Sequence, residues 1–292
     1  MLSLHRIAHS VRHWPMLERA DWLWDRLRSP YHRLLDFSGR GVRVSIGGCC
    51  EARMQAAFCG GNWIAYEPET VAALCRWLRS HPHSLVLDVG CAVGVLAVAA
   101  LFASPEVEVI AFDSDLASLK ATQRMCCCAP GSRLVTVHGF LAEHPTVDGS
   151  LADAAVATSA RMAASRVSGA SGTTRYVCLA DADRDDAIPT HSLDRLWDAD
   201  TAARYAGRPI LLKCDVEGAE LLVLRGARKL LAEAAPNLLI SVHPPALPAY
   251  GHQVTDVREY LTSAGYEIEV LAIDHEEHWW CTPSRGGDAS QS

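Results

Sequence analysis

Apolar positions along the chain change period several times, and the changes mark out an alternating α/β order. Residues 85–87, 107–112 and 134–137 are short apolar runs of the kind that form strands buried on both faces. Between them, residues 95–103 and 116–128 have the length of helices, the second stopped by Pro130-Gly131. Ile210, Leu211 and Leu212 repeat the buried-strand pattern, and Val223, Ala227, Leu230, Leu231 and Ala234 then recur at helical spacing until Pro236. Residues 238–242 predict another strand. Thr255 or Asp256 is placed to cap a helix that carries Val257, Tyr260 and Ala264 and ends at Gly265, and residues 266–273 with 279–282 form a closing hairpin. Strands alternating with helices predict an α/β fold with a mainly parallel, Rossmann-like sheet.

The margins of this pattern differ from it. Tyr66-Glu67-Pro68-Glu69 opens a helix with proline at its first position, with Val71, Leu74, Cys75 and Leu78 on the buried face and Pro82 beyond its end. Upstream, residues 14–35 predict one or two Trp-rich helices, and residues 41–47 alternate as a short strand. Residues 1–62 therefore read as an N-terminal helical and β cap, residues 63–284 as the main domain, and residues 285–292 as a disordered polar tail. Residues 142–192 break the alternation. There, residues 151–158 and 176–180 predict a β insertion around a glycine- and serine-rich loop at 165–174, followed by a solvated charged turn at 181–186.

Composition narrows the classes. With 292 residues, 49% hydrophobic, the chain has the size for one large domain with an appendage, and a net charge of -7 argues against a general nucleic-acid binder. No apolar run reaches the length of a signal peptide core or a transmembrane helix, so a cytoplasmic protein with no membrane span is expected, its eleven cysteines mostly free thiols. Cys126-Cys127-Cys128 lack metal-ligand spacing, because consecutive helical positions diverge. These patterns carry no oligomeric state.

Two constellations carry chemistry. The first is strand, Asp88-x-Gly90-Cys91-x-x-Gly94, helix, strand, Asp113-Ser114. The glycines permit a tight turn and close backbone approach, and an acid at the second strand's end accepts hydrogen bonds from a ribose diol, so the turn suits an adenosine-bearing ligand. A nicotinamide dinucleotide would require G-x-G-x-x-G, and here Ala92 replaces the second glycine, which favours S-adenosylmethionine over NAD. The second constellation is Lys213, Asp215, Glu217 and Glu220 where the strand at 210–212 gives way to a helix, with His243 at the next strand's end. His243 would suit a general base and Asp215 its orientation or acceptor binding. Equally, Glu217 and Glu220 would cap their own helix and pair with Lys213 or Arg225, and His243 before Pro244-Pro245 would be a turn residue. Asp215, Glu217 and His243 also suit an oxygen-rich divalent-ion site, an alternative to a metal-free one.

The run ILLKCDVEGAELLVLRGARKLL at 210–231 resembles the signature of the FkbM family of S-adenosylmethionine-dependent methyltransferases, and Leu193-Asp194-Arg195-Leu196 resembles its Leu-Asp element. Asp88-Val89-Gly90-Cys91-Ala92-Val93-Gly94 is similar to that family's Asp-x-Gly-Ala-Asn-x-Gly turn, with Cys91 and Ala92 replacing Ala and Asn, and Ala111-Phe112-Asp113-Ser114 to its Ala-Phe-Glu-Pro. Tyr66-Glu67-Pro68 matches an upstream element, so the resemblance spans residues 63–244. It implies a class I methyltransferase fold, with Asp113 binding ribose, Gly90 and Gly94 admitting the methionine portion, Glu67 contacting its ammonium, and Gly139-Phe140 lying where adenine is expected. It implies O-methylation of a small-molecule acceptor, a sugar or secondary-metabolite intermediate; Lys213, Asp215, Glu217 and His243, clustered at neighbouring strand ends, are the catalytic candidates for such a transfer. The rivals are an NAD-dependent oxidoreductase and a non-catalytic S-adenosylmethionine-binding protein.

Overall fold

The apolar runs assemble into one seven-stranded sheet with helices on both faces. The computed structural model describes residues 41–131, 133–164 and 188–284. The helices expected over 14–35, the strand expected at 176–180, the loop at 165–174, the charged turn and the tail lie outside the described residues.

A hairpin, β1 (Val42–Ile46) and β2 (Cys50–Met54), precedes helix α1 (Pro68–Ser80), whose first position is the proline expected there. Then follow β3 (Leu85–Val89), α2 (Val95–Ala103), β4 (Glu108–Asp113), α3 (Leu116–Cys126) and β5 (Leu134–His138). A short parallel pair, β6 (Phe140–Leu141) with β7 (Thr190–His191), brackets α4 (Leu151–Ala164). Two small helices, α5 (Leu193–Leu196) and α6 (Ala199–Arg204), lead to β8 (Ile210–Cys214), α7 (Glu220–Arg225), α8 (Arg228–Glu233), β9 (Asn237–Val242), α9 (Val254–Ser263), β10 (Tyr266–Ile273) and β11 (Glu277–Pro283).

The sheet order is β10-β11-β9-β8-β3-β4-β5. Strands β9, β8, β3, β4 and β5 run parallel, while β11 pairs antiparallel with both β9 and β10. This is the Rossmann-like arrangement expected. Alternate residues of each buried strand feed opposite cores: Leu87, Phe112, Leu212 and Ile240 pack on one face, Val86, Val109, Leu211 and Leu239 on the other.

Three local readings are corrected. Residues 151–158 are not a strand of an insertion; they lie within α4, whose buried Ala154, Thr158 and Met162 fall four apart, and whose alanine content favours a helix. The helix expected after residue 220 is broken in two. The Gly226 carbonyl oxygen accepts from Asp194 N (2.8 Å) and Ser192 Oγ (2.9 Å), and Asp194 Oδ1 accepts from Leu230 N at 3.0 Å, so the Leu-Asp element caps the second half. Helix α9 is capped by Gln253, not Thr255 or Asp256; Asp256 instead closes a capping box, accepting from Gln253 N at 2.7 Å.

The antiparallel edge is anchored by Trp279, which is fully buried. Its indole nitrogen donates to Glu277 Oε2 at 3.0 Å and the Arg258 guanidinium sits 4.4 Å from its ring centroid. Trp279→Ala should destabilise the fold by about 3–5 kcal/mol, measured by urea denaturation.

Candidate functional site at the sheet switch point

Chain connections leave β3 toward β4 on one side and β8 toward β9 on the other, so a crevice opens over the carboxyl ends of β3 and β8. Register places Asp88 beside Lys213 in these neighbouring strands, with 1% and 5% of their surfaces exposed. Lys213 Nζ donates to the Gly90 carbonyl at 2.6 Å and lies 3.2 Å from Asp88 Oδ1 and 3.4 Å from Asp215 Oδ2. Burial disfavours its charge, but Asp215 and Asp88 outweigh that and hold its pKa well above the ordinary lysine value. Lys213 is therefore a charged strut between the two loops, which departs from the catalytic role considered for it.

Backbone shape fixes the glycine turn. A Cβ on Gly90, where φ is +75°, would fall 1.7 Å from the Asp215 carbonyl oxygen, and one on Gly94 (φ +85°) would fall 2.7 Å from Thr122 Cγ2. Gly90 N and Cys91 N both donate to the Phe112 carbonyl, each at 3.0 Å, tying the turn to β4. At the end of that strand the Asp113 carboxylate accepts from Ala92 N (2.9 Å) and Asp115 N (2.8 Å). Burial nevertheless lifts the Asp113 carboxyl to about 7 against those two hydrogen bonds.

The other expected binding residues gather around Asp113. Cys91 is buried with Sγ 3.4 Å from Thr122 Oγ1, and burial pushes its thiol well up, so it packs the turn and is no nucleophile. Ser114 offers its carbonyl oxygen, 3.0 Å from His138 Nε2. Gly139 N donates to the Asp113 carbonyl at 2.9 Å, and Phe140, half-buried, starts the β6 pairing with its amide on Pro189 O. Glu67, at the head of α1, has its carboxyl raised by burial first and by the Asp215 charge second.

These groups fit an adenosine-bearing cationic ligand. Asp88 Oδ1 is met by Lys213, but Asp88 Oδ2 and Glu67 Oε2 are buried without a hydrogen-bond partner, a donor deficit that a ligand's ammonium group satisfies. Three of the residues held at positive φ without being glycine, Glu67 (34°), Ala92 (47°) and Glu217 (52°), also line these loops. Such left-handed strain concentrates at ligand sites.

An acid-rich cluster adjoins the turn. His243, at the end of β9, has Nδ1 2.7 Å from Glu220 Oε1 and Nε2 2.7 Å from Glu276 Oε2, with Asp215 Oδ1 and Glu217 Oε2 each 3.5 Å from Nε2. Burial works against an imidazolium here, but the Glu220 and Glu276 contacts and the Asp215 charge outweigh it and raise the pKa to about 11. Without another cation in the cluster the ring keeps its proton, the opposite of a free general base. Glu220 is fully buried and accepts from Gly218 N at 2.9 Å; its ionic partner is His243, not Lys213 or Arg225. Glu276 was not singled out from the sequence. It stands opposite His243 only because β11 pairs with β9 so that Glu277 faces Val242.

The family model described as the methyltransferase FkbM domain matches residues 52–268. The chain belongs to the FkbM methyltransferase family. Comparison with curated proteins found no match. Among solved structures, an FkbM methyltransferase from Methylobacillus flagellatus is 20% identical over 69% of this chain and 44% of its own, with a TM-score of 0.43. A precorrin-6y C5,15-methyltransferase from Geobacter metallireducens is 11% identical over 80% of this chain and 97% of its own, with a TM-score of 0.44. Magnesium protoporphyrin IX methyltransferase from Synechocystis, solved with bound S-adenosylmethionine, is 16% identical over 74% of this chain and 79% of its own, with a TM-score of 0.36. The match therefore spans less than half the length of the Methylobacillus FkbM structure.

In this FkbM chain the Lys213 strut is the element whose removal is most informative. Lys213→Met leaves Asp88 buried without its cation, and should lower stability by about 3–5 kcal/mol in chemical denaturation.

Proposed function

We propose that the chain transfers a methyl group from S-adenosylmethionine to a hydroxyl oxygen of a small molecule. The observation that carries this reading is the shared wall between the two constellations: Gly90 approaches the Asp215 carbonyl so closely that the glycine turn and the acid-rich junction bound one crevice. When bound, the cofactor supplies an electrophilic methyl group. Asp113 accepts hydrogen bonds from the ribose hydroxyls, Gly90 and Gly94 admit the amino acid portion, and Asp88 and Glu67 receive its ammonium. Gly139 and Phe140 lie at the tip of β5, beside Asp113, where the adenine is assigned.

Methylation of a hydroxyl requires that the acceptor be aligned and its proton removed. Asp215 and Glu217 are assigned to hold that hydroxyl. Glu217 keeps its side chain half exposed beside His243, and burial raises its carboxyl above the usual glutamate value, so it takes the proton. The family resemblance extends the acceptor class to sugars and secondary-metabolite intermediates.

Labelled S-adenosylmethionine offered with a panel of hydroxylated acceptors should give label on oxygen; label on amines or RNA would overturn the acceptor assignment, and a rise in melting temperature with NAD alone would overturn the cofactor. Glu217→Gln should lower turnover about 100-fold or more with cofactor affinity retained. Affinity for S-adenosylhomocysteine should also depend on pH. Below about 7 the Asp113 carboxyl is protonated and loses acceptor capacity, so affinity rises with pH and levels off above 7. Calorimetry at pH 6 should read about tenfold weaker binding than the plateau, and Asp113→Asn should bind weakly with that pH dependence abolished.

A further inference from the structure

We infer, on the reading of Asp113 as the ribose acceptor, that His138 is a positioning residue for the adenosyl end of the cofactor: it holds the peptide group between Ser114 and Asp115 in the orientation that serves Asp113. Both ends of that peptide are engaged. Its N–H, from Asp115, donates to Asp113 Oδ1 at 2.8 Å, and its C=O, from Ser114, lies 3.0 Å from His138 Nε2. A carbonyl oxygen only accepts, so Nε2 carries the hydrogen of this bond. One imidazole therefore fixes the peptide plane from which the Asp113 carboxylate draws one of its two amide donors.

The ring is set for this task from its other side. Arg161 Nη1 lies 3.5 Å from Nδ1, and a guanidinium only donates, so Nδ1 is left as acceptor and the tautomer with hydrogen on Nε2 is selected. The backbone of His138 is held as well: its N–H donates to Thr158 Oγ1 at 2.8 Å, and its carbonyl accepts from His191 Nε2 at 3.2 Å. Register sets the residue beside Asp113 in the adjacent strand. His138 is buried, and burial pushes its imidazole down to about 4, so the ring carries no charge near neutrality.

Loss of the Nε2 donor releases the Ser114 carbonyl and lets the peptide turn its N–H away from Asp113. An amide on a carboxylate favours the charged form, so its departure raises the Asp113 carboxyl, and a protonated Asp113 accepts less from a ribose diol. Asp113 is otherwise faced by Asp115 at the head of α3, Lys213 from β8 and the Cys91 thiol from the glycine turn. His138 is faced by Arg161 from α4, by Asp115 and by His191 from β7. All of these stay in place when His138 is replaced, and exchanging a neutral imidazole for another neutral side chain removes no charge. A shift in the titration of Asp113 therefore reads the hydrogen bond, which lost packing alone would not move.

The Asp113 carboxyl carbon, assigned by its loss in Asp113→Asn, is followed by carbon NMR while the full-length protein is titrated. Its midpoint is expected near 7 in the unaltered chain. In His138→Phe it should rise by about one pH unit, and in His138→Gln, whose amide nitrogen stands roughly where Nε2 does, it should return. Calorimetry at pH 7 should read about fivefold weaker binding of S-adenosylhomocysteine in His138→Phe, restored in His138→Gln. Melting curves establish that each variant is folded, and nitrogen NMR of the unaltered chain, which needs no variant, should show His138 protonated at Nε2 alone. An unmoved midpoint or undiminished affinity in folded His138→Phe, a midpoint raised equally in His138→Gln, or a ring protonated at Nδ1 would overturn the assignment. A chain that binds no S-adenosylhomocysteine would sink the cofactor reading, while the Asp113 titration and the ring tautomer, both read without ligand, still decide whether His138 holds the peptide.

Discussion

One buried ammonium holds the two halves of the site together. Lys213 reaches from β8 to the Gly90 carbonyl and lies between Asp88 and Asp215, so a single cation braces the turn after β3 and the junction after β8. Its desolvation is large, and it is tolerable because two carboxylates and a carbonyl surround it. Without that cation the neighbouring carboxylates of Asp88 and Asp215 would repel each other unscreened. With it, a loop shaped by glycine and a loop rich in acid are kept in contact at the switch point of the sheet, where open α/β sheets bind ligands.

The same arrangement divides labour between the two sides of the crevice. On the β3–β4 side the protein offers backbone room and a carboxylate at Asp113 steadied by two amides. The β8–β9–β11 side gathers Asp215, Glu217, Glu220 and Glu276 around one imidazole. Four acids converging on one histidine make a strongly cation-seeking pocket, which is why the His243 imidazole is pushed up to about 11. A methyl acceptor would be drawn by the same field.

Much of this was legible in sequence because the central strands are buried on both faces and read as unbroken apolar runs, as at Leu85 to Leu87 and Ile210 to Leu212. The glycine turn and Asp113 were readable because their chemistry is local: a left-handed turn and an acid at a strand end. Residues 151–158 were misread because alanine and valine alternating with polar residues satisfy a short strand pattern, and only the longer stripe to Met162 reveals the helix. The break at Gly226 was hidden because its cause, the Asp194 side chain and amide, lies thirty-odd residues away. Glu276 was invisible for the same reason. The run Asp274-His275-Glu276-Glu277-His278 around it shows a charged turn but not what that turn faces, and its place opposite His243 follows from antiparallel register between β9 and β11. Lys213 looked reactive in sequence, and burial between two acids makes it structural.

The most direct measurement is a crystal structure of the chain with S-adenosylhomocysteine. The ribose oxygens should lie within hydrogen-bond distance of Asp113, the ammonium should meet Asp88 or Glu67, and the sulfur should face the crevice wall formed by Asp215 and His243. A ligand seated away from Asp113, or one whose sulfur faces away from that cluster, would contradict the coupling of the two loops on which the rest depends.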